Sequence, residues 1–308
     1  MHLKIESNML NVEIAGISLR SPAILASGFL GISQSVFERI FDEGAGAVVS
    51  KSISRDPMEG YRNPTVVVLE NRSYINAVGL SNPGHEAFYE EIRSNEKVPL
   101  MVSLVGSDPS DFEVMTRKLD KSKIIGFEIN LSCPHVQKLG MEVGDDPQMV
   151  NSIVKATKSN TTKPVLVKVG IGSANITDVS QAAINAGADG ITAINTIRAM
   201  KISIDNFTPI LSNKVGGLSG TSIKPIAIRC VYELSKKFKV PIIGCGGISS
   251  WEDAVEFMVA GAKSFQLGTA IGFGDLSIFN SINSGILKYL EKKGYQSVNE
   301  LIGRAHKY

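Results

Sequence analysis

Short apolar runs recur along the chain, and most of them are followed by a segment whose apolar residues have helical spacing. Several of these runs are rich in β-branched residues, a pattern that predicts buried strands of a parallel sheet. The sequence contains eight candidate strands: Pro22–Ala26, Ala45–Lys51, Pro99–Val105, Ile124–Asn130, Pro164–Val169, Asp189–Asn195, Val240–Gly244 and Lys263–Gly268.

Helices are predicted between these strands. The segments "NAGADG" and "VAGAKS" are glycine-containing turns that end a helix and lead into the next strand. Ser250 is a predicted N-cap, with Asp253 three residues further on. The clearest predicted helices are Asp111–Leu119, Pro147–Lys158, Thr177–Ala186, Ile223–Phe238 and Ser250–Ala260.

Eight strand–helix units predict a (β/α)₈ TIM barrel, which commonly takes about 250 residues before insertions. An open doubly wound sheet is the alternative. The barrel is favoured because the strands are spread evenly to the end of the chain, and we expect 1–308 to form one domain. Three long strand-to-helix loops are expected over the C-terminal mouth, at Ser52–Glu86, Leu131–Asp146 and Thr196–Ser222.

Composition excludes several classes of partner. The 308 residues include 32 basic and 30 acidic side chains, a net charge of +2. This balance argues against nucleic acid or an anionic membrane surface, because both require clustered positive charge. No stretch reaches the roughly 20 apolar residues that span a bilayer, and the N-terminus has no signal-peptide core. We expect a cytoplasmic protein without a membrane segment.

The three cysteines are Cys133, Cys230 and Cys245, and no C-x-x-C pair occurs. That spacing argues against a zinc or iron–sulfur site within the chain, and against a disulfide framework. Cys230 within a helix and Cys245 just after an apolar strand are expected to be structural. Cys133 is different, because it follows Asn130 in the stretch "INLSCPHV", past the end of a strand.

The carboxyl ends of the strands in a barrel meet at one mouth, where barrel enzymes build their sites. In this sequence those ends carry two lysines, two asparagines, several hydroxyls and two glycine turns: Ser27–Gly28, Lys51–Ser52, Ser103, Asn130, Lys168, Asn195–Thr196, Gly246–Gly247 and Gly268–Thr269.

The two glycine turns, "GCGGIS" and "LGTA", follow the seventh and eighth strands. Loops at these places commonly bind phosphate through backbone N–H groups, and glycine allows the backbone to come close. The segment "GGLSG", Gly216–Gly220, is a third candidate turn. The alternative is that these glycines only form tight turns. Neither the dinucleotide fingerprint nor the P-loop is present.

Lys51 and Lys168 each end an apolar strand. Lysine is mostly exposed, so a surface position is the ordinary expectation. At the inner end of a barrel strand, however, lysine offers a fixed positive charge to a ligand anion or to developing negative charge. We therefore expect both lysines to belong to the site.

Asn76, Asn130 and Asn195 each combine a donor and an acceptor in one amide, which suits a planar ligand with alternating N–H and C=O edges. Asparagines that only cap loops are the common alternative. Cys133 also has two interpretations. It is either an inert packing residue, or a positioned general base or nucleophile in the loop over the mouth.

Taken together, these residues resemble the class 1 dihydroorotate dehydrogenases of pyrimidine biosynthesis. The resemblance covers nearly the whole chain, through "PAILASG", "SKS", "NAVGLSNPG", "NLSCPH", "VLVKV", "AINT", "GGLSGTSIKPIA", "PIIGCGGI" and "LGTA" in that order. The family fold is a (β/α)₈ barrel that holds FMN, in agreement with the strand count.

The resemblance implies a role for each matching position. Cys133 is the implied general base that takes the C5 proton while hydride passes from C6 to FMN, and Lys168 is implied to stabilise reduced flavin. Class 2 enzymes have serine at the Cys133 position. The implied substrate-binding residues are Lys51, Asn76, Ala77, Val78, Gly79, Leu80, Asn130, Asn195 and Thr196. The implied FMN-binding residues are Ser27, Lys51, Ser52, Asn130, Lys168, Ile194, Gly220, Gly246, Gly247, Gly268 and Thr269.

Two positions depart from the family pattern: Ser103 stands where asparagine is usual, and His135 where many class 1 enzymes have asparagine. Class 1A enzymes are homodimers that use fumarate, whereas class 1B enzymes pass electrons to NAD through a second subunit with FAD and an iron–sulfur cluster. "NAVGLSNPG" and "GGLSGTSIKPIA" resemble class 1B more. The resemblance thus implies a catalytic homodimer, or a heterotetramer with that electron-transfer subunit.

Two rival functions are considered. A dihydropyrimidine dehydrogenase-like reductase also carries "NLSCPH" on an FMN barrel, but the flanking iron–sulfur domains of that family are missing here. Lys51 also argues against it, because this lysine can pair with the carboxylate of orotate that uracil lacks. The second rival is a non-catalytic barrel that binds flavin or phosphate.

Overall fold

A computed structural model of the protein describes residues 8–131, 143–172 and 174–307. The predicted Cys133 and His135 lie outside these residues. All eight predicted strands form, and they pair in parallel to close a barrel in chain order, which confirms the (β/α)₈ prediction. The barrel strands are Ala23–Leu25, Ala47–Val49, Leu100–Leu104, Gly126–Asn130, Val165–Val169, Gly190–Ala193, Ile242–Cys245 and Ser264–Leu267.

The helices surround this barrel and bury its outer face. The five predicted helices occur within two residues of their expected ends, and Ser250 and Asp253 form the reciprocal capping box that begins one of them. The helices of the described residues are Gln34–Asp42, Gly84–Ile92, Pro109–Leu119, Pro147–Lys158, Ile176–Asn185, Lys224–Lys237, Trp251–Ala260, Thr269–Gly272 and Ile278–Lys293. Short 3₁₀ turns occur at Val143–Asp145, Thr221–Ile223, Val298–Leu301 and Arg304–Lys307.

The buried barrel strands carry a few polar side chains next to one another. All five residues of Val165–Val169 are buried, as expected for a strand covered on both faces. The register pairs Asn130 with Lys168, and Lys168 with Thr192, so these side chains lie next to one another on neighbouring strands. Glu128 precedes Asn130 by two residues and therefore points to the same face one layer deeper.

Two of the expected long loops contain secondary structure that the sequence did not predict. Four antiparallel strands from Ser52–Glu86 and Thr196–Ser222 pair into one sheet, which we call the cap sheet: Val66–Leu69, Ser73–Asn76, Ile197–Ala199 and Gly216–Gly220. The cap sheet has a small apolar core of its own, formed by Val67, Ile75, Ala77 and Leu211. Burial of these side chains explains why the segments do not remain loops.

The segment Gly216–Gly220 is not the turn that the sequence predicted, because it forms a strand of the cap sheet. Its glycines permit a close approach between strands. A Cβ added to Gly216 would lie 2.6 Å from the carbonyl oxygen of Asn76, and one added to Gly220 would lie 2.4 Å from that of Arg72. Only Gly220, at the end of the strand, keeps the positive φ (91°) expected of a turn.

Two further antiparallel pairs complete the described strands. Val12–Ile14 pairs with Ile17–Leu19, and Ile202–Ser203 pairs with Thr208–Pro209. None of the helices in the described part of the chain has the length and apolar character needed to cross a membrane.

Candidate active site

A cavity of about 1330 Å³ lies between the carboxyl ends of the barrel strands and the cap sheet. Every described residue that the sequence assigned to a site lines this cavity, so the fold brings both parts of the chain together. These residues are Ser27, Lys51, Ser52, Asn76, Ala77, Val78, Gly79, Leu80, Asn130, Lys168, Ile194, Asn195, Thr196, Gly220, Gly246, Gly247, Gly268 and Thr269.

A row of hydrogen bonds crosses neighbouring strand ends below the cap sheet. The hydroxyls of Ser103 and Ser52 are 2.9 Å apart, and the Asn130 amide donates to the Ser52 hydroxyl at 3.0 Å. The Asn195 amide donates to the Asn130 Oδ1 at 3.1 Å, and the Asn195 Oδ1 accepts from the backbone N–H of Thr196. This row fixes which way each amide faces. Ser103 is fully buried behind Ser52 and supports the row from outside the cavity.

Lys168 is 3% exposed and lies on the floor of the cavity. Its ammonium donates to the Gln266 Oε1 at 2.9 Å and to the Ser27 hydroxyl at 3.3 Å, and it is hydrogen-bonded to Cys245. Burial by itself lowers the pKa of Lys168. The interactions with Cys245 and Glu128 together outweigh that effect, so the pKa lies above its ordinary value and Lys168 stays an ammonium.

Lys51 has the opposite environment. Among the described residues, its ammonium has neither a hydrogen-bond partner nor an ion-pair partner, although its side chain is half-buried at the cavity wall. Burial lowers the pKa of Lys51 below its ordinary value. A desolvated cation that faces a cavity without a partner is well placed to receive an anionic ligand.

The glycines at the last strand ends form a concave backbone surface. Gly246 and Gly247 have φ values of 125° and 84°, a region that favours glycine. A Cβ on Gly247 would lie 2.7 Å from the Cβ of Lys224 and 2.8 Å from the Gly220 oxygen. Nearby, the Thr269 hydroxyl donates to the Ser219 hydroxyl at 2.8 Å. These glycines let the backbone line the cavity without side chains, and backbone N–H groups in such turns commonly bind phosphate.

The segment from Asn76 to Leu80 forms the upper wall of the cavity. The Asn76 amide donates to the Gly217 carbonyl at 3.2 Å, which ties this segment to the cap sheet. Gly79 has a φ of 77°, and a Cβ there would lie 2.7 Å from the backbone nitrogen of Tyr61. The segment is therefore fixed at the cavity wall by the Asn76 hydrogen bond and by the close packing of Gly79 against Tyr61.

A profile of the dihydroorotate dehydrogenase family matches residues 9–290 of the chain. The chain belongs to the dihydroorotate dehydrogenase family. It is 48% identical over 301 residues to dihydroorotate dehydrogenase B (NAD(+)), catalytic subunit, of Pyrococcus furiosus, which covers 97% of this chain and 99% of that protein. The protein of the same name from Pyrococcus abyssi is 47% identical over 300 residues, 97% of this chain and 100% of its own length. That from Methanosarcina acetivorans is 41% identical over 297 residues, 95% of each chain.

These relatives confirm the resemblance to dihydroorotate dehydrogenases of class 1, and in particular to the class 1B catalytic subunit. Lys51 and Lys168 both line the cavity, as expected of site residues and unlike ordinary surface lysines.

Sequence reasoning missed several residues of the cavity. Cys245 was expected to be structural, but its thiol lines the cavity beside Lys168, because the strand Ile242–Cys245 extends one residue further than predicted. Burial raises the pKa of the Cys245 thiol, and the nearby Lys168 only partly offsets this. Gln266 was also missed, although a glutamine inside the apolar run "KSFQLG" was a usable signal.

Aromatic and cationic residues of the cap region were missed as well. Tyr74 and Phe273 stack with ring centroids 4.5 Å apart at the cavity wall, and Arg72 and Arg198 line it from the cap sheet. The apolar run "VVVL", followed by the polar turn "ENR" and then "SYIN", was the available signal for the first cap-sheet hairpin.

Proposed function

We propose that this chain oxidises dihydroorotate to orotate with FMN, as a step of UMP biosynthesis, and that 1–308 acts as one FMN-binding barrel domain. The observation that carries the proposal is that every described residue assigned to flavin or substrate by the family resemblance lines one cavity. The family match and the names of the relatives support the same reaction.

The residues of the cavity fit FMN. Its volume of about 1330 Å³ exceeds the range of about 300–1,000 Å³ for ordinary ligand sites, which leaves room for a flavin and a substrate together. The concave glycine backbone at Gly220, Gly246 and Gly247 would take the phosphate. Lys168 on the floor offers a permanent positive charge to the ring. When bound there, FMN would supply the acceptor for the hydride.

The chain's own residues would bind and orient the substrate. The Lys51 ammonium, which has no partner in the described part of the chain, would form an ion pair with the dihydroorotate carboxylate. Asn76, Asn130 and Asn195 would hold the amide edges of the pyrimidine ring. The hydrogen-bond row behind Asn130 keeps these groups in place before the substrate arrives.

Cys133 would act as the general base. It lies outside the described residues, three positions after Asn130 in the sequence. The C5 proton, which is α to a carbonyl, would pass to the Cys133 sulfur while hydride leaves C6, so that the C5–C6 double bond forms. Lys168 would stabilise the negative charge that arrives on the acceptor.

The matched relatives are named NAD(+) enzymes and catalytic subunits, which supports NAD as final acceptor. We assign the transfer to a partner subunit with FAD and an iron–sulfur cluster, in a heterotetramer built on a homodimer of this chain. Rapid NAD reduction by the purified chain alone would contradict this assignment.

Replacement of Cys133 by serine tests the catalytic proposal. Cys133→Ser should retain the yellow flavin but lose reduction by dihydroorotate, because a serine hydroxyl is a much weaker base at neutral pH. Cys230→Ala is the matched control, since Cys230 is buried in the helix Lys224–Lys237 away from the cavity. Reduction of C133S at the wild-type rate would show that Cys133 is not the base. A yellow protein that no dihydropyrimidine reduces would favour a non-catalytic barrel.

A further inference from the structure

The barrel contains a buried carboxylate that the proposed reaction does not use. Glu128 is fully buried on the strand Gly126–Asn130, one layer below Asn130. Its Oε2 accepts from the Gln266 amide at 2.6 Å and from the Thr192 hydroxyl at 2.9 Å. Within the described part of the chain, its Oε1 has no hydrogen-bond partner. A carboxylate at this depth is costly unless a positive charge compensates it.

The orientation of Gln266 indicates that Lys168 supplies the positive charge near Glu128. Lys168 can only donate, so the Gln266 oxygen faces Lys168, at 2.9 Å. The Gln266 NH₂ therefore faces Glu128 and needs an acceptor. Thr192 donates to the same Glu128 oxygen.

The hydrogen bonds to Glu128 are of the kind that a carboxylate accepts. Its Oε2 takes both the Gln266 amide and the Thr192 hydroxyl. The Lys168 ammonium lies on the other side of Gln266, so a positive charge is close to this carboxylate.

We propose that Glu128 is the buried counter-charge of Lys168, transmitted through Gln266, and that this unit sets the electrostatic potential on the cavity floor. Glu128 is a positioning residue, because it lies below the cavity and acts on a bound cofactor through Gln266 and Lys168. The inference rests on the proposed function only in taking that cofactor to be a flavin. The charge of Glu128 also contributes to the raised pKa of Lys168.

The unit has a definite consequence for flavin chemistry. When Glu128 is ionised, the charges of Lys168 and Glu128 cancel. Lys168 then stabilises negative charge on a reduced flavin less strongly than it would alone. Without that negative charge, the floor becomes more positive and favours the reduced, anionic flavin. The carboxylate thus keeps the flavin potential low enough for electrons to leave again.

Glu128→Gln tests this, because it removes the charge and keeps the shape. The matched control is Thr192→Val, which removes one hydrogen bond to Glu128 and keeps the charge. The flavin potential of the FMN-loaded chain is measured by potentiometric titration at pH 6, well below the usual lysine pKa of about 10.4. We expect E128Q to shift the two-electron equilibrium toward reduced flavin at least tenfold, or about 30 mV. T192V should shift it less than twofold.

A second readout needs no flavin. Glu128 contributes to the raised pKa of the Cys245 thiol, which faces Lys168 and lines the cavity. In flavin-free protein, E128Q should therefore lower the apparent pKa for alkylation of Cys245 by iodoacetamide, followed by peptide mass spectrometry, while T192V should not. An unchanged flavin potential and unchanged alkylation in E128Q would overturn the proposal. Equal shifts in E128Q and T192V would also overturn it, since they would indicate packing rather than charge.

If E128Q does not fold, Gln266→Met is the alternative, since it removes both hydrogen bonds of the bridge and keeps both charges. The account then predicts at least a tenfold weaker FMN affinity, and unchanged affinity would overturn it. A failure of the proposed function would look different. In that case wild-type protein would bind no FMN, or would bind FMN that dihydroorotate does not reduce, while the Cys245 alkylation test would still apply.

Discussion

Two lysines line the cavity in opposite surroundings. Lys168 is buried, is hydrogen-bonded to three neighbouring side chains and has a raised pKa. Lys51 is half-buried, has no partner among the described residues and has a lowered pKa. The same residue type is therefore prepared for two tasks by what surrounds it.

The different surroundings suit Lys168 to a resident cofactor and Lys51 to a substrate that binds and leaves. Lys168 and its buried counter-charge Glu128 are in place before any ligand binds, which suits a resident cofactor. The Lys51 ammonium gains a counter-charge only when an anion binds, so a substrate carboxylate can bind to it and leave again. Variants of each lysine should therefore damage different steps.

Lys168→Met should have the largest effect. Loss of a preorganised charge at the site of developing negative charge typically costs about 10²–10³ in rate, and we expect that loss in flavin reduction by dihydroorotate. Stopped-flow absorbance measures it. Lys163→Met is the control, because Lys163 pairs with Asp120 at 3.1 Å outside the cavity. Near-normal flavin reduction in K168M would contradict the role of Lys168 in stabilising reduced flavin.

Lys51→Gln should weaken substrate binding more than flavin binding. A hydrogen bond to a charged group contributes about 1.5–3 kcal/mol, so the Kd for orotate should rise about 10- to 150-fold. The flavin absorbance change on titration with orotate measures this Kd. Lys97→Gln is the control, since Lys97 pairs with Asp42 on the surface. Weaker FMN binding with unchanged orotate affinity would contradict the assignment of Lys51 to the substrate carboxylate.

The phosphate side of the cavity can be probed with two glycines of positive φ. Gly247→Ala and Gly294→Ala carry similar backbone strain of about 1–2 kcal/mol, since their φ values are 84° and 73°. Only Gly247 is crowded, whereas a Cβ on Gly294 meets nothing within 4 Å. We expect G247A to lose FMN affinity beyond its thermal destabilisation, and G294A to lose stability alone. Equal FMN affinities would argue against the glycine backbone as the phosphate site.

The smallest expected effect is the pH dependence of orotate binding. Burial lowers the pKa of Lys51, so its ammonium loses the proton at a lower pH than a surface lysine does. The orotate Kd should therefore rise as the pH rises toward that pKa, by a few-fold before global effects set in. K51Q should show no such rise. The same rise in K51Q would assign the titration to another group.

The barrel could be predicted because its strands are locally encoded. Each run is short, apolar and followed by a helix, and this pattern is independent of what the strands later pair with. The residues at the strand ends followed from the same logic, since a closed barrel brings them to one mouth. Lys51, Asn130 and Lys168 were found in this way.

The cap sheet could not be predicted in the same manner. Its strands come from two segments separated by more than a hundred residues, and Gly216–Gly220 has few apolar residues to mark it as a strand. Its pairing depends on close backbone approach, which a glycine run permits but does not signal. Cys245 and Gln266 were missed because their roles depend on a neighbour from another strand, Lys168.

The most direct test of the central claim is an anaerobic titration of the FMN-loaded chain with dihydroorotate and, separately, with dihydrouracil. Dihydroorotate carries the carboxylate that Lys51 would bind, and dihydrouracil lacks it. The account predicts that dihydroorotate bleaches the flavin absorbance of the wild-type chain stoichiometrically, and that dihydrouracil does not. Equal bleaching by dihydrouracil, or a yellow protein that neither compound bleaches, would contradict it.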